Sequence, residues 1–469
     1  MVSVPIPFPY SSVPGDKPAI GQGRLVNAYF SPEGEQKLWK RAAGLSQFIG
    51  GVENVRGMLW FEQQQWLLVV AGSKVGWVRN GPTLEWLSGD IDNTSPVCVT
   101  RNNNAVTDIV ITTGTNTYVV GSSSVEPYPD GNISVPNSVS MLDGYFLFTY
   151  SDGFIRASKL NSTDIDGLSY TKAESSPDGL MRGVVSAQLF YAMGSSSIEI
   201  YRDVGTSPFP LQRVQVLQVG LFGPWAIAGA QVEGWDNPLF FVASDGTVRA
   251  LDGYQDTIVS TSDVTRDILS VSDRTSIRAF VYVVDSNPFF TINAPNWTWE
   301  FNLATKKWHQ RKSYQSSRWR AELSSQAFRK WIVGDTQSDS LLSIDNTALT
   351  ESGQPLIFEI ESAAVTEFPQ RVACRRADFD FIVGYGRERG LDPIEIDPVV
   401  MVSFSHDGGV SFGTPLERNL GREGRYANLV SVLNAGLSGS QGFKWRIVVS
   451  DPIDCTLKGG TMEADVRMK

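Results

Sequence analysis

Three cysteines and two histidines in 469 residues leave little for thiol or metal chemistry to use. Cys98, Cys374 and Cys455 lie far apart, form no CxxC pair and are odd in number. That excludes a disulfide framework and fits synthesis in a reducing compartment. With only His309 and His406 available, neither a zinc site nor a Ser-His-Asp triad is expected, and no cofactor is implied. Neither a Walker A loop nor an H-E-x-x-H helix occurs. No apolar run reaches the roughly 18 residues that a bilayer span needs, so no membrane insertion is expected. The opening MVSVPIPFP lacks the charged and continuously apolar regions of a secretory signal. Positive charge is also in deficit: 40 Lys and Arg stand against 50 Asp and Glu, for a net charge of −10. Such a chain does not grip nucleic acid over its whole surface, although an acidic wall would let DNA slide past.

What is abundant points to strands. The 43 Gly and 24 Pro suit many short strands joined by tight turns, and the 13 Trp supply bulk for a large core. One phrase recurs: an apolar run, a Gly or Asp-Gly turn, and a second alternating run. It appears as LVVAGSKVGWV at 68–78, VITTGTNTYVV at 110–120, FTYSDGFIR at 148–156, YAMGSSSIEIY at 191–201 and FVASDGTVR at 241–249. Turns at 72, 114, 152, 194 and 245 are about 42, 38, 42 and 51 residues apart, the period of β-propeller blades. Trp297 to Trp308 has the shape of a sixth hairpin, and residues 331–345 form a further candidate.

The expected fold is therefore all-β: a propeller of six or seven blades with an additional C-terminal antiparallel β-sandwich-like domain. Residues 1–50, rich in Pro and Gly, read as an extended arm that packs on a neighbouring surface. Residues 51–353 form the propeller. Residues 354–469, where longer strands appear, form the C-terminal β-domain or else contribute strands that close the propeller. A short helix is expected over 262–269, where Val264 and Ile268 share a face.

Two local features carry candidate chemistry. Ser405, Asp407, Gly409 and Phe412 match the Asp-box pattern S-x-D-x-G-x-[ST]-[WF], in which the Asp accepts turn N–H groups and Gly supplies a left-handed backbone. Sialidase propellers carry several such boxes away from the active site; a single copy here reads as a structural hairpin turn. The second feature is basic and aromatic. Lys306, Lys307, Trp308, Arg311, Lys312, Arg318, Trp319 and Arg320 form a possible docking face for phosphate or for an acidic neighbour, the alternative being one solvated blade face with its aromatics in the core. Arg371, Arg375 and Arg376, with Arg418, Arg422 and Arg425, add charge to the back half.

Three segments resemble the tail hub, or nozzle, proteins of short-tailed bacteriophages, also described as packaged-DNA stabilisation proteins. RLVNAYFSPE at 24–33, followed by Ala43-Gly44-Leu45, is similar to the family's opening. The most specific is YTKAESSPDG at 170–179, containing Ala173, Glu174, Ser175, Pro177, Asp178 and Gly179, with GSSSIE at 194–199 following. SFSHDG at 403–408 and FKWRI at 443–447 are similar to the closing strands. The resemblance implies a virion structural protein, made in the host cytoplasm and located in the tail. It implies a ring of copies, usually six, below the portal-adaptor protein. That ring extends the DNA channel, retains the packaged genome, and anchors tail needle, tailspike or fibre proteins. Double-stranded DNA passes through without sequence-specific binding. The family brings no catalytic residues, so no enzyme activity is expected. The alternatives are a propeller adhesin or a glycosidase acting on host surface glycan.

Overall fold

A computed structural model describes residues 2–93, 96–104, 106–173, 175–176, 178–384, 386 and 390–467. The recurring phrase proves to be the middle of a four-stranded antiparallel blade; among the described residues there are seven blades, five as separate sheets and two as parts of larger sheets. Blade 1 runs Val55–Phe61, Trp66–Ala71, Lys74–Arg79 and Thr83–Trp86. Blades 2 to 5 follow the same order and begin at Cys98–Arg101, Ser138–Leu142, Leu180–Ser186 and Ile227–Ala228. Blade 6 begins at Arg278–Val284 and ends at Lys307–Gln310. Blade 7 takes Ala321–Ala327, Lys330–Asp335 and Ser340–Asp345, and its fourth strand is Gly44–Gly50 from the other side of the propeller sequence. The first strand of blade 7 then packs beside the first strand of blade 1, which closes the ring.

The phrase is so regular because the second strand of each blade is buried on both faces. Trp66–Ala71 and Ile109–Thr112 read as unbroken apolar runs for that reason. Their turns need left-handed backbone: Gly153 has φ +92 and Gly246 has φ +80, and a Cβ at Gly246 would also come within 2.7 Å of Leu269. Separate apolar clusters fill the gaps between neighbouring blades. Leu68, Trp77 and Ile111 serve blades 1 and 2; Phe190, Leu147 and Ile155 serve blades 3 and 4; Val69, Ile332 and Leu341 serve blades 7 and 1. The expected helix forms as Ser262–Leu269 between blades 5 and 6, burying Val264 and Ile268. No helix among the described residues is long and apolar enough to cross a membrane.

Two sheets pack into a sandwich beside the propeller. In one, blade 6 continues without interruption through Arg24–Val26, Phe358–Glu361, Lys444–Val449, Val399–Ser405 and Leu416–Asn419. The other holds Ala28–Phe30, Trp39–Arg41, Thr456–Arg467, Arg371–Phe381 and Val430–Leu437, with Val2–Pro5 also paired to Thr456–Arg467. Their shared core mixes both ends of the chain: Phe8, Leu25 and Trp39 pack with Phe379, Trp445 and Met462.

Residues 1–50, expected as an arm reaching to a neighbour, thus pair along much of their length with this same chain. The reason is hydrogen bonding: Val2–Pro5, Arg24–Val26 and Trp39–Arg41 find strand partners in 359–361 and 456–464, and Gly44–Gly50 finds its partner in blade 7. The propeller is closed from the N-terminal side, not by strands beyond residue 353.

Candidate functional site

The segment 173–179 links the last strand of blade 3, Ile165–Lys172, to the first strand of blade 4. Glu174 and Pro177 lie outside the described residues. Ala173 is buried and donates its N–H to the Gly153 carbonyl at 2.9 Å. Asp178 accepts the Ser196 and Ser197 N–H groups at 2.6 and 3.2 Å, and Ser175 donates its N–H to Glu199 at 2.8 Å. A Cβ at Gly179 would overlap the carbonyl oxygen of Ser151. The two parts of the most distinctive sequence signature, 173–179 and 194–199, are therefore the two sides of one contact. Burial works to raise the Asp178 carboxyl, but the Ser196 and Ser197 bonds hold it below the usual carboxylate range. Buried Glu199 is likewise held low, against burial, by Ser175, Tyr201 and Arg213. The same device occurs two links earlier in the ring, between blades 1 and 2, where Asp92 accepts from Thr113, Thr115 and Asn116 of blade 2 at 2.6 to 3.0 Å.

The Asp-box residues form a compact turn after strand Val399–Ser405. Ser405 receives the Gly409 N–H at 2.7 Å, and Asp407 accepts both the N–H and the hydroxyl of Ser411. Burial opposes these bonds, yet the hydroxyls of Ser405 and Ser411 hold the Asp407 carboxyl well below its ordinary range. Phe412 lies under the Arg446 guanidinium at 3.7 Å. Residues 409–413, GVSFG, also fit the G-x-S-x-G spelling of a hydrolase elbow. Here, however, the turn leads from strand to strand, Ser411 donates to Asp407, and the His406 ring is bonded to the Ala435 carbonyl at 2.6 Å. The geometry is that of a hairpin turn.

The basic and aromatic docking face does not form as a surface. Trp308, Trp319, Arg311 and Arg320 are buried; Lys306 is exposed, and Lys307, Lys312 and Arg318 are half-buried. Carboxylates distant in sequence explain the difference. Arg311 stacks on Trp319 at 4.0 Å and lies 3.7 Å from Glu300 and 3.4 Å from Glu351. Arg320 grips Asp335 through two nitrogens, and the Trp319 indole donates to Glu351 at 2.7 Å. Glu300 also accepts from Tyr282 at 2.7 Å and contacts His309 at 2.6 Å. Burial would raise the Glu300 carboxyl, but Arg311 and His309 pull it below its ordinary value; for Glu351 burial wins and pushes it up. Sequence reading missed this buried network, although the hairpin register already places Glu300 opposite His309. The other basic clusters are engaged as well: Arg375 lies 3.3 Å from Asp465, Arg376 lies 2.8 Å from Asp378, and Arg422 pairs with Asp397.

Among the described residues no group of three His, Cys, Asp or Glu side chains is placed to hold a metal ion. The three cysteines are buried and unpaired, and burial pushes the Cys374 and Cys455 thiols up to about 12. One concavity is axial: the first strands of the blades surround a cavity of about 200 Å³.

A family model described as bacteriophage P22 Gp10, beta-propeller, matches residues 27–349. The match therefore runs from just ahead of the closing strand through the last strand of blade 7. No curated protein matches the chain. Among solved structures, virginiamycin B lyase from Staphylococcus aureus is similar at 8% identity over 64% of this chain and 98% of that one, with a TM-score of 0.44. A streptogramin B lyase gives 10% identity over 64% and 95%, with a TM-score of 0.41. The computationally designed Ika8 protein gives 12% over 72% and 99%, with a TM-score of 0.39. At such scores these likenesses assign no activity.

Proposed function

We propose that this chain, which belongs to the phage-stabilisation family described as bacteriophage P22 Gp10, beta-propeller, is a structural subunit of a phage tail that works without chemistry of its own. Copies assemble as a ring, six in number, below the portal-adaptor protein. The ring extends the DNA channel, retains the packaged genome and anchors needle, tailspike or fibre proteins. Double-stranded DNA passes without sequence-specific contact, and the net charge of −10 favours release over grip. The chain is made in the host cytoplasm and joins the virion at the head-tail junction.

The observation that carries this reading is the family match across the whole propeller. The blade links support it: the contact between 173–179 and 194–199 fixes one blade on the next, which suits a body that bears load. The test is DNA retention by phage heads assembled without this protein. Heads that package and then leak their genome support a hub that seals the exit. Heads that stay full but fail to infect would overturn it and move the chain outward to a peripheral adhesin.

A further inference from the structure

We infer that the axial cavity of the propeller binds a small oxyanion, a phosphate or carboxylate group, between Arg182 and Arg278. In a ring of equivalent blades the first strands all run the same way along the axis, so their starting ends share one mouth. Arg182 stands near the start of that strand in blade 4 and Arg278 at its start in blade 6. Trp225 lies between them, just ahead of the blade 5 strand, and all three line the same cavity.

Two features give this mouth unused capacity for an anion. The first is charge. Arg182 and Arg278 line the cavity together with Arg56, which is already held by Asp92 and by the Gly72 carbonyl. Glu322 is itself divided between Arg278 at 3.7 Å and Arg318 at 3.3 Å, and Asp92 lies 3.7 Å from Arg56. The second is unmet hydrogen bonding. Arg182 stacks over Trp225 at 4.7 Å and donates once to the Pro224 carbonyl at 3.1 Å, while its buried Nε has no partner among the described residues. Ser140 of blade 3 lines the cavity, is 5% exposed, and its hydroxyl is also without a partner there. Buried donors of this kind are costly unless something accepts from them. Burial already lowers the Arg278 guanidinium, with Arg318 and Arg182 adding to the effect against Glu322, and a bound anion would relieve it.

Size selects the ligand. A sphere of 200 Å³ is about 7 Å across, too narrow for a duplex whose major groove alone is roughly 12 Å wide. It holds a phosphate or carboxylate with a few waters at about 30 Å³ each, not a duplex. This site is therefore separate from any conduit formed by a ring of copies.

The test uses the full chain. Thermal unfolding and isothermal titration are run with inorganic phosphate, and separately with tricarballylate, each against chloride at equal ionic strength. A saturable rise in Tm with either anion is expected; the one that saturates identifies the group recognised. Arg182→Gln with Arg278→Gln should weaken binding by more than about tenfold. Should that double variant fail to fold, Ser140→Ala and Arg278→Lys decide, Ser140→Ala with an expected loss of about threefold to tenfold. The inference is overturned if neither anion gives a saturable response beyond chloride, or if the folded variants bind as the parent does.

Discussion

Replacing Arg311 by methionine tests the buried network most directly, because the apolar stem can still cover Trp319 while the charge is lost. Glu300 and Glu351 then face each other's surroundings without the cation that lies 3.7 and 3.4 Å from them, and all three groups are fully buried. Breaking a buried pair by removing one partner costs about 3–5 kcal/mol, against a total stability of about 5–15 kcal/mol. The urea midpoint of Arg311→Met, followed by tryptophan fluorescence, should fall accordingly with an unchanged slope. Glu351→Gln should be much milder, since burial already pushes that carboxyl up towards its neutral form. Acidity supplies a second readout. The Glu300 carboxyl is held low, so its contribution is present above the ordinary glutamate value near 4.3 and is lost as pH falls further. Without Arg311 both carboxyls rise, and protonation begins to replace the missing cation. The deficit of Arg311→Met should therefore shrink between pH 7 and pH 5. A loss below about 1 kcal/mol, or a deficit as large at pH 5 as at pH 7, would refute the reasoning.

Three other outcomes are expected. Asp178→Ala removes the acceptor for Ser196 and Ser197 and should cost about 1–3 kcal/mol. In the parent that contribution is present above the ordinary aspartate value near 3.9 and fades as pH drops through the lower folded value, which an acid titration of unfolding would follow. Ala187 and Gln188 form a hairpin turn with φ +48 and +60, so Ala187→Asn with Gln188→Gly should raise stability by about 0.5–1 kcal/mol; an unchanged urea midpoint would count against the strain argument. Deleting residues 1–50 removes the fourth strand of blade 7 together with strands of both sandwich sheets. Soluble deletion product with native-like hydrogen-exchange protection in blades 1 and 7 would contradict the closure described here.

The propeller was legible because burial on both faces makes the second strand of a blade apolar, and a turn containing Gly follows it in blades 1 to 5. That is why the copies at 72, 114, 152, 194 and 245 stand out, while outer strands such as Thr83–Trp86 do not. Blade 7 was half-visible at 331–345; its last strand was hidden because its partner lies nearly 300 residues away. The same distance effect misled the reading of residues 306–320. Charge counted along the chain finds six Lys and Arg with two Trp in one stretch. It cannot see that Arg311 and Arg320 point inward to Glu300, Asp335 and Glu351. The loop at 173–179 stood out by its resemblance to a family; that its Asp178 serves the turn at 194–199 became visible only in three dimensions.

The pairing of Trp39–Arg41 with Thr456–Arg467 sets a timetable for synthesis. The 416 residues between Trp39 and Thr456 take about 20 to 80 s to translate at 5–20 residues per second. Through that interval Val2–Pro5 and the outer edge of Trp39–Arg41 await the strand Thr456–Arg467, while the blades between them can assemble in order on the ribosome. The sandwich is thus the last part to exist, and a chain released early carries unpaired edges at its front. Synthesis of Thr456–Arg467 is therefore the step that seals the fold.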